Sequence, residues 1–238
     1  MSAQDDEAAT RLVLAVLGDQ AINEIDFEMG AIAVSPAMYR DVSQAITDGK
    51  ITVLVAPNLL TSTQIGKYFP ELRFGDGREF FDILVLRFPD LGSGVNEQFK
   101  RAEAIVHECT HGGFALRRVP NMTHTLHEAG AYTAQSSFAI AKMLSLGGHP
   151  ENVASTITEP IEKAAWNLAI LLSRRKAAAA NTPVAVYFNS PDFAVVLNSW
   201  WNALYTAIAA SNEYGPVAND PVQNVGLGRQ WITQPRTP

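Results

Sequence analysis

Cysteine is nearly absent from this chain. Cys109 stands alone among 238 residues, so no intrachain disulfide can form, and the fold must rest on packing, hydrogen bonds or a metal ion. A dithiol redox role is excluded with it, and a reducing compartment suits the chain. Long uninterrupted apolar runs are missing as well: Ala164 to Leu172 and Phe193 to Ala210 are broken by Asn167, Asn198, Ser199 and Asn202, which excludes an apolar helix spanning a bilayer. Basic clusters are the third lack. The formal charge is −6 and the lysines and arginines are scattered, leaving no surface suited to neutralising phosphates or anionic lipid, so nucleic acid is not expected as a partner. Residues Met1 to Glu7 are acidic where an export signal is basic, and the apolar run after Arg11 offers no small-residue cleavage site. These features predict a soluble protein, cytoplasmic or secreted without a leader.

What is present is ordinary globular material, with 47% apolar and 18% charged residues and enough length to bury a sizeable core. Helical patterns cover Asp5 to Asn23, a segment opened by Ser35-Pro36 and closed by Asp48-Gly49, Glu97 to Arg118, Thr123 to Leu146, Glu159 to Ala178 and Pro191 to Ala210. Strand patterns are Lys50 to Ala56, ended by Pro57, a weaker one at Gly66 to Phe69, and the strongest at Phe80 to Phe88. The expected fold class is α+β: a small antiparallel sheet in the N-terminal half packed on a mainly helical core and C-terminal half. One domain is expected over residues 1–214. Residues 215–238, rich in glycine and proline and without periodicity, read as an extended tail.

The chemistry concentrates in His107-Glu108-Cys109-Thr110-His111, an HExxH sequence inside the helical pattern Glu97 to Arg118. On a helix, residues four apart share a face, so both imidazoles can reach one tetrahedral metal ion. Glu108 is offset beside them, where a carboxylate can take a proton from a metal-activated water. With five histidines and thirteen glutamates, a random chain would contain this pattern roughly once in two hundred sequences, so its placement on a helix after a strong strand carries the argument. A catalytic zinc site needs a third protein ligand. Phe114 and Arg117 occupy the places where HExxHxxGxxH would have glycine and histidine, so the candidates are His124, His127 and Glu128 on the next helix.

The segments Val106 to His111 and Glu128-Ala-Gly-Ala-Tyr-Thr-Ala-Gln135 resemble the gluzincin plan, HExxH plus a glutamate on the following helix. More narrowly they are similar to uncharacterised bacterial zincin-like proteins, over residues 105 to 135. The resemblance implies a zincin-like core holding one zinc ion, with Glu128 as third ligand, Glu108 as general base and a peptide or protein as substrate. It also implies that the strand Phe80 to Phe88 flanks the cleft and can pair with an extended substrate. Many gluzincins carry an aspartate four residues after the ligand glutamate to orient a histidine; here that place is Tyr132. His127 and Tyr132 are candidate donors to the oxyanion of a tetrahedral intermediate, with structural roles as the alternative. Two further functional readings stand beside the hydrolase: a non-catalytic protein clamped by zinc, and a leaderless secreted zincin effector. Cys109 is expected to be a buried apolar residue, His149 a loop residue, and Trp166, Trp200, Trp201 and Tyr205 packing residues. Gly112-Gly113 suggests a close-packed backbone or a helix end near the metal.

Overall fold

Phe80 to Phe88, the most β-prone segment, forms the middle of a three-stranded sheet. A computed structural model describes residues 3–73, 79–119, 122–178, 187, 189–217 and 219. In it, β3 (Thr52–Val55) and β4 (Gly66–Arg73) flank β5 (Glu79–Leu86) in the order β3-β5-β4. The sheet is mixed. β4 runs antiparallel to β5, with Tyr68 opposite Leu84, while β3 runs parallel to it, with Val53 also opposite Leu84. The expected antiparallel character therefore holds for one pairing of this sheet and for a separate hairpin, β1 (Phe27–Met29) with β2 (Ile32–Val34). β4 is longer than its sequence pattern because it continues through Pro70. Proline lacks the N–H a central strand needs, and an edge strand tolerates it.

The class is α+β and mostly helical. α1 (Ala3–Leu17) packs on β3, and α2 (Pro36–Thr47) packs on α3 (Val95–Arg117). α3 lies across β4 and β5; α4 (His124–Ser145) covers α3, α6 (Pro160–Ala177) covers α4, and α7 (Pro191–Ala210) covers both α4 and α6. A short α5 (Pro150–Ala154) follows the Gly147-Gly148 turn. Thr123 starts α4 by accepting the Leu126 N–H, and Arg118 ends α3 in a left-handed conformation (φ 51°). One apolar cluster, from Ala9 to Ile208, draws residues from α1, α2, α3, α4, α6 and α7. Trp166 is buried in a second cluster, with Ala139, Ile140, Ala169 and Ile170, and donates from its indole to the Pro150 carbonyl (2.9 Å), while Trp200 and Trp201 lie half-buried against the main cluster. Of the expected tail, Gly215–Val217 form a 3-10 turn on α7, and residues 218 and 220–238 lie outside the described residues. Among the described residues no helix is long and apolar enough to cross a membrane.

Small residues set the distance between the two helices that matter most. A Cβ at Gly130 of α4 would stand 2.7 Å from the Phe114 ring of α3, which is itself fully buried. Gly130→Ala gains about 1 kcal/mol of helix propensity but overpacks a ring that cannot retreat, which typically costs about 1–3 kcal/mol. The expected outcome is a lower urea midpoint with an unchanged m-value; a midpoint equal to or above the parent's would refute the close approach. Gly112 meets the Tyr68 ring and Gly113 the Met38 side chain, so that glycine pair accommodates side chains rather than a backbone, and α3 continues past it to Arg117.

Candidate metal centre

α3 presents His107 and His111 one turn apart, both 8% exposed, and α4 brings Glu128, also 8% exposed, against them. His107 Nε2 lies 3.2 Å from Glu128 Oε2, and His111 Nε2 lies 3.6 Å from Glu128 Oε1. Ligands of a tetrahedral ion at bonds of about 2.0–2.1 Å are separated by about 3.3 Å, so these spacings match the edges of such a site. The three residues form a buried group able to hold a metal ion.

Protonation supports the same reading. His107 Nδ1 lies 3.0 Å from Gln135 Oε1, and because an amide oxygen only accepts, Nδ1 carries the proton. Nε2 then faces Glu128 Oε2, and the two are bridged by a proton when His107 is charged or left as facing lone pairs when it is neutral. In the neutral form the two buried acceptors, 3.2 Å apart, leave a place that a metal ion could take. His111 behaves alike: its Nδ1 is 2.6 Å from His127 Nδ1, and presenting Nε2 to an ion requires Nδ1–H to donate to His127. Burial drives the His111 pKa well below the ordinary imidazole value, so it is neutral and ready to ligate. Burial acts against charge on His107 too, but the Glu128 hydrogen bond and the Glu108 and Glu128 charges raise its pKa. Burial alone would raise Glu128, yet His111 and His107 hold its carboxyl down at about 2.

Glu108 stands beside this group but outside it. Its Oε2 accepts the backbone N–H of Tyr68 on β4 (2.7 Å), and burial raises its pKa despite that bond. Because the Tyr68 hydroxyl donates to Asp82 (2.5 Å), which is buried in β5 at a left-handed φ of 53°, the strand edge that meets Glu108 is itself fixed. The strand against the base is thus β4. β5 is paired along both edges and has none to offer a substrate, which corrects the expectation for Phe80 to Phe88.

His127, stacked on His111 with ring centroids 4.5 Å apart, is engaged through Nδ1 and is buried with its Nε2 unpartnered; burial lowers its pKa to about 4. Tyr132 meets the His107 ring edge-on at 4.7 Å, and its hydroxyl lies 3.3 Å from that of Tyr214, just beyond α7. His124, the other candidate ligand, is not in the metal group, and His149 is exposed at the start of α5. Cys109 is buried (2%), as expected, and burial pushes its thiol far above the ordinary range. No protein-family description, curated protein or solved structure matches the chain.

Three residues at this centre were not singled out from the sequence. Gln135 lies seven residues after Glu128, hence on the same face of α4, and Glu103 lies four before His107 on α3; helical spacing contained both signals. Tyr214 had none, since it arrives from the far end of the chain. Burial, eased by a hydrogen bond from Gln135, raises the Glu103 pKa to about 7. A carboxyl with a raised folded-state pKa binds more protons folded than unfolded between its ordinary value of 4.5 and about 7. Its contribution to stability is therefore complete below pH 4.5 and declines as pH rises through 7. Replacing Glu103 with Gln should flatten the stability profile across that window, as followed by urea unfolding at half-unit pH steps; an unaltered slope would show that Glu103 titrates normally.

Proposed function

We propose that the chain is a zinc-dependent hydrolase on the gluzincin plan, acting on peptides. The observation that carries this reading is the convergence of three buried ligand atoms, with a carboxylate alongside that takes no part in the ligand set. His107, His111 and Glu128 would hold the ion. Zinc bound there would lower the pKa of water and polarise a carbonyl. Glu108 receives the proton from the attacking water and returns it to the leaving amine, and its raised pKa suits both halves of that transfer. Tyr132, whose ring meets His107 and whose hydroxyl lies 3.3 Å from that of Tyr214, would stabilise the oxyanion, while His127 would orient His111.

The test is metal analysis of the purified protein joined to a peptide-library cleavage assay. One zinc per chain with chelator-sensitive cleavage supports the reading. Absence of zinc after purification in its presence sinks it. A second reading, zinc as a clamp between α3 and α4, draws on the burial of all three ligands; a zinc-loaded protein that cleaves nothing in the library would favour it.

A further inference from the structure

We propose that Tyr68, anchored by Asp82, is the positioning residue for Glu108: its backbone N–H occupies Oε2 of the carboxylate and leaves Oε1 for proton transfer. This rests on the hydrolase reading above. Strand alternation puts the donor where a helix can use it. Arg87 N–H donates to Ile65 O (2.8 Å), so the odd-numbered residues of β4 pair with β5 and the even-numbered ones turn their N–H to the open edge. Tyr68 is one of these, and Glu108 takes its N–H at 2.7 Å. On one side of it Pro70 has no N–H to offer; on the other Gly66 has no side chain, and a Cβ there would stand 3.5 Å from Glu108 Cγ. Tyr68 also sets how α3 lies on β4. A Cβ at Gly112, one turn beyond Glu108, would stand 3.3 Å from the Tyr68 ring, and Ala115 is buried in one cluster with it. The far end of that ring is pinned in turn, because the hydroxyl donates to Asp82 Oδ1 (2.5 Å). Asp82 is 2% exposed, and its left-handed backbone (φ 53°) stands opposite Pro70, at an interruption in the β4–β5 register. Burying a carboxyl and holding a non-glycine residue in that conformation both oppose folding. Together they place one acceptor on the tyrosine that faces the base.

The test reads hydrogen exchange of the residue-68 amide by NMR, together with peptide cleavage, in the parent purified with zinc and in Tyr68→Phe, Asp82→Gly and Asp82→Asn. Tyr68→Phe keeps the ring against Gly112 and removes only the hydroxyl. Asp82→Gly removes the carboxylate at a φ that glycine adopts freely, and Asp82→Asn keeps an oxygen acceptor at a φ that asparagine tolerates. In Tyr68→Phe and Asp82→Gly the residue-68 amide should exchange about tenfold or more faster relative to the amides of Lys67 and Phe69, which face β5. In both, kcat should fall about 10–100-fold, the scale on which a misplaced catalytic group is felt, with KM and zinc content unchanged. Asp82→Asn should recover most of the exchange protection and of kcat. A hydroxyl with a structural role alone would lower kcat by the same factor with or without the base, so Tyr68→Phe is repeated on Glu108→Gln, where little further loss is expected. Parent-like amide exchange and kcat in Tyr68→Phe and Asp82→Gly, or an equal fold-loss on Glu108→Gln, would overturn the proposal. A parent that cleaves no peptide would remove the hydrolase reading, while exchange of the residue-68 amide would still decide whether Tyr68 and Asp82 hold the Glu108 carboxylate.

Discussion

Glu108→Gln is expected to keep its zinc and lose hydrolysis. General acid–base catalysis contributes about 10²–10⁴-fold, so cleavage of the best library peptide should fall by that factor. Glutamine is the informative replacement because its amide oxygen can still accept the Tyr68 N–H, which Glu108 does at 2.7 Å, so the contact between α3 and β4 survives. Glu108 is not among the ligands, so metal content should equal the parent's. Full activity in this variant would remove Glu108 as the base. A variant that lost zinc as well would show the carboxylate to be a ligand, contrary to the geometry.

The second large effect concerns stability. An ion bound to the folded state alone stabilises it by RT ln(1 + [L]/Kd), about 2.7 kcal/mol at a zinc concentration of 100 Kd. For a chain of this size that is a rise in Tm of roughly 5–10 °C, which chelation should reverse. Glu128→Ala removes the one ligand contributed by α4. Zinc retention should fall by at least about tenfold, the cost of an outer-shell partner alone, and the chelation-sensitive part of Tm should collapse. An undiminished zinc affinity would return the third ligand to His124 or His127. Glu128 also carries the pH sign of the metal-free protein. Its carboxyl is held at about 2, so its contribution is whole above the ordinary value of 4.5 and is lost as pH falls from 4.5 toward 2.

Much of this was legible because it is local. HExxH needs only the helical repeat to place two imidazoles on one face, and the pattern from Glu97 to Arg118 supplied the helix, found as α3. The choice among His124, His127 and Glu128 was not local. It depends on how α4 is rotated against α3, which is set by contacts such as Gly130 on Phe114; that rotation brings Glu128 to both imidazoles and puts His127 against His111 Nδ1. The β1–β2 hairpin went unread because three-residue strands are too short to show alternation, although Gly30, at φ 60° between them, is the residue such a turn favours. Parallel pairing of β3 with β5 was unreadable for another reason: β4 intervenes in sequence yet lies on the far edge in space.

The isolation of Cys109 beneath the ligand face has a practical consequence. Its thiol is sealed from solvent and held protonated, so it offers alkylating and maleimide reagents no thiolate. A cysteine introduced on an exposed helix face would then be the one reactive sulfur in the folded chain. Fluorophores or spin labels could be attached there singly and reported on without a background signal from the native thiol.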